Sequence, residues 1–276
     1  MGKVRKDFYV LFGACLLLLI LGTIFDYQIS SYLYNRSSFF GQVIHIFAQV
    51  PTYILLTFFC MGIFNTRSKD GSIESMLSFF FGILGAIGFG FLAGYVFLYN
   101  MDLYSITMIV AADIGINVVC YVITKLICDH DALNLRKYSK TMLYSFIICI
   151  IIAIIFITLF DRSPYRRLDG MVNVYVPWYQ VRFMPSVTGY LHRSFPSMNV
   201  LMAAFILYIN IFNTFIRSFG KRKMIALILG YSWLFVVVLS QLILGYAYMS
   251  DIMISIILQA VVSILTFKIV YRKKAS

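Results

Sequence analysis

The sequence predicts an all-α protein, a polytopic membrane bundle of about eight transmembrane helices with both termini in the cytoplasm. Of its 276 residues, 61% are apolar and only 12% are charged, whereas ordinary globular chains are about half apolar and about a quarter charged. Several apolar runs reach the roughly 18 residues that a helix needs to cross a bilayer. Helices are favoured over a β-barrel because the runs do not alternate in the short segments that barrel strands show.

Eight apolar runs justify the predicted number of spans, and polar segments separate them. The runs lie near residues 8–25, 48–64, 76–99, 104–127, 141–160, 194–216, 224–246 and 250–270. The predicted connectors include 26–47, 65–75, 128–140 and 217–223. We expect residues 1–140 to form an N-terminal four-span region, and residues 141–276 to form a four-span core with an outer loop, 161–193. No soluble domain is predicted.

The orientation follows from the distribution of Lys and Arg, which are enriched in cytoplasmic loops. With a cytoplasmic N-terminus, a retained first span and eight crossings, 17 of the 23 basic residues fall on the inner side. The net charge of +12 is therefore mostly a topological signal with some attraction to anionic lipid. It gives no support to nucleic-acid binding.

The predicted outer loop, 161–193, is an exception because it carries five of the six remaining basic residues. All five are arginines, whose planar donors suit phosphate oxygens better than a lysine does. They are Arg162, Arg166, Arg167, Arg182 and Arg193. One interpretation is an outward-facing anion site. The other is a surface loop on lipid headgroups, with Tyr175, Trp178 and Tyr179 as interfacial anchors.

Two short motifs accompany these arginines: HRSFPSMNVLMAAF at 192–205 and SQLILGYAYMSD at 240–251. They resemble motifs of the type 2 phosphatidic acid phosphatase family, the membrane branch of a superfamily that includes vanadium haloperoxidases. The family has Pro-Ser-Gly-His in the second motif and Ser-Arg, five residues, His, three residues, Asp in the third. Its first motif, Lys, six residues, Arg-Pro, has no complete counterpart here, since the Lys is missing in either alignment at Arg162 or Pro164. The resemblance covers roughly residues 155–270.

The resemblance implies a phosphatase site whose reactive groups have been replaced. Ser197, Ser240 and Asp251 are retained. The family's nucleophilic His corresponds to Ala247, and its acidic His to Asn199, whose amide cannot give up a proton near neutral pH. The third-motif Arg corresponds to Gln241. We expect a pseudoenzyme without a catalytic residue, although a residually active lipid phosphatase stays an alternative.

A site that has lost its chemistry can still bind phosphate. The predicted phosphate-binding residues are Arg162, Arg166, Arg167, Ser197 and Asn199. The ligand would be a membrane lipid, an isoprenoid or glycerolipid phosphate, at the extracytoplasmic side of the cell membrane. The alternative for Pro196-Ser197 is a plain helix start with Ser194 as N-cap. For Asp251 the expected partner is an outer-loop arginine or the start of its own helix.

A different class of function is indicated by Asp113 and Asn117, one turn apart in the fourth span. Carboxylates inside a membrane are costly and often mark a proton or ion pathway. A proton-coupled transporter that uses Asp113 is therefore an alternative, and so are a packed structural carboxyl group and a purely structural subunit. The sequence predicts no cofactor and no metal site, because His45, His130 and His192 are expected to lie far apart. Oligomeric state is not indicated.

Overall fold

The computed structural model is helical throughout its regular elements. It describes residues 2–68, 70–103, 105–160, 162–168, 175–181, 193–211 and 223–272. Eight α-helices occur in these ranges: α1 Gly2–Leu33, α2 Phe39–Phe47, α3 Val50–Asn65, α4 Ile73–Asn100, α5 Ile106–Leu159, α6 Met198–Ala204, α7 Lys223–Ile243 and α8 Met249–Arg272. Two 3-10 segments, Tyr165–Arg167 and Phe205–Ile211, complete them.

Six helices in the described part of the chain are long and apolar enough to cross a membrane, with α2 and α3 together counting as one. Large apolar side chains such as Leu17, Phe81 and Ile114 are exposed along them. An extended apolar surface of this kind suits contact with lipid. The chain is thus a helical membrane protein, as the composition predicted.

The predicted connector at 128–140 was too long, because α5 covers this stretch except for a kink at Asp131. That helix has 54 residues and a single non-helical position, Asp131, at φ −155° and ψ 62°. Helix α5 is kinked at this residue and is not one straight 54-residue rod. It contains both the fourth and the fifth predicted spans. The predicted connector 26–47 was also too long, since α1 continues to Leu33 and α2 begins at Phe39.

The sixth predicted span, 194–216, is shorter in the described residues. Helix α6 has seven residues and continues directly into the 3-10 segment Phe205–Ile211. Residues 212–222 lie outside the described ranges. The prediction of eight crossings, like the orientation of the termini, stays a prediction.

The chain forms two compact units that interleave along the sequence. Unit 1 comprises Met1–Ala48, Ile147–Phe205 and Ser232–Leu265. Within it, glycines allow helices to approach closely. A Cβ at Gly22 of α1 would come within 3.0 Å of the Ser250 amide nitrogen of α8. One at Gly41 of α2 would meet the Leu244 side chain, just after α7, at 2.9 Å.

Unit 2 comprises Gln49–Phe146, Ile206–Tyr231 and Thr266–Ser276. Its buried polar contacts join hydroxyl groups: Ser145 Oγ lies 2.6 Å from the Tyr208 hydroxyl and 2.5 Å from Thr266 Oγ1. At its surface, Glu74 pairs with Arg136 at 2.9 Å and with Lys140 at 3.0 Å.

Candidate functional site

Arg162 lies at the centre of a buried ionic network in unit 1, which we call the closed cluster and define as Asp26, Arg162, Ser250 and Asp251. The Arg162 side chain is only 2% exposed. Its Nη2 donates to Asp26 Oδ2 at 2.8 Å, and its Nη1 donates to Ser250 Oγ at 2.8 Å and to Asp251 Oδ1. Two carboxyl groups therefore surround one guanidinium.

Tyrosine rings cover the closed cluster. The guanidinium carbon of Arg162 lies 4.0 Å from the centroid of the Tyr248 ring and 5.4 Å from that of Tyr175. The Tyr175 hydroxyl accepts a hydrogen bond from Nη2 at 3.2 Å, so Tyr175 is part of the network rather than a simple interfacial anchor. Burial lowers the pKa of Arg162, but the attraction of Asp251 and Asp26 outweighs this effect and raises the pKa above its ordinary value. Burial also raises the pKa of Tyr175 to about 12.

Asp251 has both of the partners that the sequence suggested for it. One carboxylate oxygen contacts Arg162, and the other accepts from the Tyr248 backbone N–H at 3.1 Å, at the start of α8. Asp26, at the end of the first apolar run, also binds the start of α8, because its Oδ1 accepts from the Ser250 backbone N–H at 2.9 Å. The closed cluster thus ties α1, α8 and the segment after α5 together.

A second group of side chains lies in the same unit and is half-buried. We call it the open cluster and define it as His45, Arg166, Asn199, Gln241 and Tyr246. Asn199 Nδ2 donates to Gln241 Oε1 at 3.0 Å, and His45 Nδ1 lies 3.3 Å from Asn199 Nδ2 and 3.2 Å from Gln241 Nε2. The His45 ring stacks on Tyr246 with centroids 4.4 Å apart and planes 3° apart.

Arg166 joins the open cluster through Tyr246, since its guanidinium carbon lies 4.2 Å from the centroid of that ring. Within the described ranges, its guanidinium has no ion pair or hydrogen bond. It is half-buried, whereas Arg167, the next residue, is exposed. The open cluster therefore contains a cation that the described carboxylates do not neutralise.

The backbone around Gly245 positions Arg166. Gly245 has φ +63°, and its carbonyl accepts from the Arg166 N–H at 3.0 Å. A Cβ there would lie 2.8 Å from the Tyr34 ring, so the turn requires glycine. The helix that carries His45, α2, is also held by a backbone contact, because the Ser240 hydroxyl donates to the Gly41 carbonyl of α2 at 2.9 Å.

The remaining predicted motif residues are buried beside these clusters. Ala247, at the family's nucleophile position, is 1% exposed, and Ser197 is 5% exposed. Ser197 is the N-cap of α6 but makes no side-chain capping bond. The alternative of Ser194 as N-cap was wrong, because α6 begins at Met198 and the Ser194 hydroxyl donates to the Arg162 carbonyl at 3.2 Å.

Asp113 and Asn117 form a separate polar pair in unit 2. Asn117 Nδ2 donates to Asp113 Oδ1 at 2.5 Å, and Asp113 is 9% exposed. The space for this pair comes from Gly90 of α4, where a Cβ would lie 2.2 Å from Asp113 Oδ1.

The sequence prediction missed two site residues, Asp26 and His45. Both lie in the segment predicted as the connector 26–47, which belongs to no recognised motif. Their partners are 136 and 154 residues away in the sequence. The available signal was that this connector and the motif regions were predicted on the same side of the membrane. Arg182 and His192, also considered above, lie outside the described residues.

The comparison with known families agrees with the motif reading. The model of the PAP2 superfamily matches residues 167–275, which confirms the predicted family resemblance. The matched region includes Asn199, Gln241, Ala247 and Asp251, whereas Asp26, His45, Arg162 and Arg166 precede it. No curated protein and no solved structure matches the chain.

Proposed function

Residues 167–275 match the model of the PAP2 superfamily, and from this match we propose that the protein binds the phosphate group of a membrane lipid without hydrolysing it. The binding site is the open cluster. The observation that carries the proposal is the difference between two arginines: Arg162 faces two carboxyl groups, and Arg166 faces none within the described residues.

The identity of two side chains supports the absence of hydrolysis. The methyl group of Ala247 has no atom that can attack phosphorus, and losing the nucleophile of a well-studied hydrolase costs on the order of a millionfold in rate. The amide of Asn199 cannot protonate a leaving alkoxide, and losing general acid catalysis costs roughly a further hundred- to ten-thousandfold. The two losses do not simply multiply, because catalytic residues act as a unit, but the loss of the nucleophile alone nearly abolishes phosphoryl transfer by the family's mechanism.

The surroundings of the arginines support Arg166 rather than Arg162 as the phosphate ligand. An incoming phosphate at Arg162 would meet the carboxyl groups of Asp26 and Asp251, which already occupy both terminal nitrogens. Within the described residues, the Arg166 guanidinium contacts no carboxyl group and lies against Tyr246, whose ring stacks on His45. Of the phosphate-binding residues predicted from the sequence, we therefore keep Arg166 as the ligand, with the exposed Arg167 at the rim. The Asn199 amide already donates to Gln241, and Ser197 is buried, so neither is proposed as a ligand. Arg162 instead has a structural role.

The membrane setting supports a lipid as the source of the phosphate. A lipid ligand needs a cation at headgroup depth next to an apolar surface, and six apolar helices supply that surface. The regions that form the open cluster are those that the Lys and Arg distribution predicts on the outer side. We accordingly place the site at the extracytoplasmic face of the cell membrane, with an isoprenoid or glycerolipid phosphate as ligand.

Binding is tested by the retention of lipid on purified protein. Native mass spectrometry of the full chain with added phosphatidic acid should show bound lipid, and Arg166→Ala should weaken binding about tenfold because a charge-assisted contact is lost. Arg36→Ala is the matched control, since Arg36 is an exposed arginine in the segment between α1 and α2. Equal retention by the wild type and Arg166→Ala would contradict the proposal.

Hydrolysis is tested separately. The purified chain should release no phosphate from phosphatidic acid, undecaprenyl phosphate or a chromogenic phosphate ester. Phosphate release that is lost in Asn199→Ala or Asp251→Ala would overturn the non-hydrolytic part of the proposal and indicate a residually active phosphatase.

A further inference from the structure

The open cluster contains an imidazole that the family match does not supply. His45 lies on α2, far before the matched residues 167–275, yet its ring nitrogen Nδ1 is 3.3 Å from Asn199 Nδ2. Asn199 and Gln241 occupy positions where the family has a His and an Arg. One imidazole thus approaches the degenerate positions from another part of the chain.

The hydrogen bonds of His45 define what its ring can do. Asn199 Nδ2 donates to Gln241 Oε1, which orients the Gln241 amide so that its Nε2 faces His45. With these amide orientations, Nδ1 of His45 accepts hydrogen bonds. A neutral imidazole with Nδ1 as acceptor carries its proton on Nε2. That nitrogen is then a donor and has no free electron pair with which to attack phosphorus.

The Tyr246 ring contacts both the His45 ring and the Arg166 guanidinium, so these two groups lie near each other. The centroid of the His45 ring and the guanidinium carbon of Arg166 lie 4.4 Å and 4.2 Å from the centroid of the same Tyr246 ring. They cannot be farther apart than about 9 Å, the sum of those separations. A phosphate group beside the edge of the Tyr246 ring, accepting hydrogen bonds of about 2.8 Å on two sides, can reach donors separated by up to roughly this limit.

We propose that His45 is a ligand-binding residue of this site, and that its Nε2–H and the Arg166 guanidinium hold the same phosphate group. The inference rests on the proposed phosphate-binding function and adds a residue to it from outside the family region. Asn199 and Gln241 act as positioning residues, because they hold the imidazole in the tautomer that donates. In this arrangement the added imidazole increases affinity without restoring hydrolysis.

The histidine content makes a direct measurement feasible, since the chain has only three histidines. NMR of ring-¹⁵N-histidine protein in detergent should show His45, assigned by its loss in His45→Phe, as a neutral ring with Nδ1 unprotonated. Titration with phosphatidic acid and, separately, with inorganic phosphate should shift the Nε2 resonance in a saturable way. A shift with phosphatidic acid alone identifies a lipid headgroup as the ligand, whereas a shift with both probes identifies any phosphate group.

Binding to variants provides the second test. His45→Phe keeps a flat ring against Tyr246 but removes both nitrogens, and we expect about tenfold weaker binding of phosphatidic acid. Gln42→Ala, at an exposed position of the same helix, should bind like the wild type. The thermal unfolding of both variants without ligand checks that the fold is intact.

The outcomes separate the two proposals. If the wild type binds no phosphatidic acid and no phosphate, the proposed function fails. If the wild type binds and Arg166→Ala does not, while His45→Phe binds normally and the His45 resonances do not move, only the role of His45 is wrong. A wild-type His45 whose Nδ1 carries the proton would likewise overturn the assignment of Nε2 as the donor.

Discussion

The closed and open clusters show how one short stretch of chain places arginines in opposite environments. Arg162 and Arg166 are four residues apart, and the sequence predicts the same phosphate-binding role for both. Arg162 is buried and bound to the Asp26 and Asp251 carboxyl groups. Arg166 is half-buried against Tyr246 and has no described carboxylate partner. The role of each arginine therefore follows from its partners in the structure. It cannot be inferred from the residue type or from the loop in which the residue lies.

Substitution of the buried Arg162 is expected to cause the largest loss of stability. Arg162→Leu removes the cation and leaves two carboxyl groups buried next to each other, so we expect the free energy of unfolding to fall by about 3–5 kcal/mol. Thermal and denaturant unfolding of the purified protein in detergent measures this loss.

Arg166→Leu is the matched control for that experiment. It changes the same residue type four positions later, where no described ion pair depends on it, and we expect a loss below about 1 kcal/mol. Similar destabilisation by the two substitutions would show that the clusters do not differ as the structure indicates.

Substitution of Gly245, in the turn next to Arg166, is expected to cause the next largest loss of stability. Gly245→Ala places a Cβ at φ +63° and 2.8 Å from the Tyr34 ring, and we expect a loss of about 1–3 kcal/mol in unfolding free energy. Phosphatidic acid binding should weaken as well, because the Gly245 carbonyl accepts from the Arg166 N–H.

Gly13→Ala serves as the control for this turn. Gly13 lies in α1, where a Cβ would meet no atom within 4 Å, so the change should stabilise the helix by up to about 1 kcal/mol. A Gly245→Ala protein as stable as the wild type would mean that the left-handed turn is not required.

Much of the fold could be predicted from the sequence because lipid imposes strong rules on composition. The apolar runs predicted α4, α7 and α8 closely. The connector at 128–140 was predicted too long because its charged residues suggested a loop. This segment contains no Pro or Gly, and long charged side chains are good helix formers, so the break in the helix is confined to the kink at Asp131.

The site was predictable only where a motif marked it. Asn199, Gln241, Ala247 and Asp251 follow from the motif spacing, and the structure brings Asn199 and Gln241 into contact. The partners of Asp251 and Asn199 in α1 and α2 could not be predicted, since contacts over more than a hundred residues leave no local pattern. For the same reason, the sequence could not distinguish Arg162, which is paired with two carboxyl groups, from Arg166, which has no carboxylate partner among the described residues.

The smallest effect concerns Arg167, the third arginine of this stretch. Its side chain is exposed, so it can attract an anion only through solvent, where charges are screened within about 8–10 Å at moderate salt. We expect Arg167→Ala to weaken phosphatidic acid binding by less than about threefold at low salt, and to have no measurable effect at about 0.5 M salt, because an exposed charge contributes little once it is screened. Arg166→Ala should remain defective at both salt concentrations, since a direct contact is less sensitive to screening than a distant charge. A loss at Arg167 that equals the loss at Arg166 and persists in high salt would move the proposed phosphate site from the open cluster to the surface of the loop.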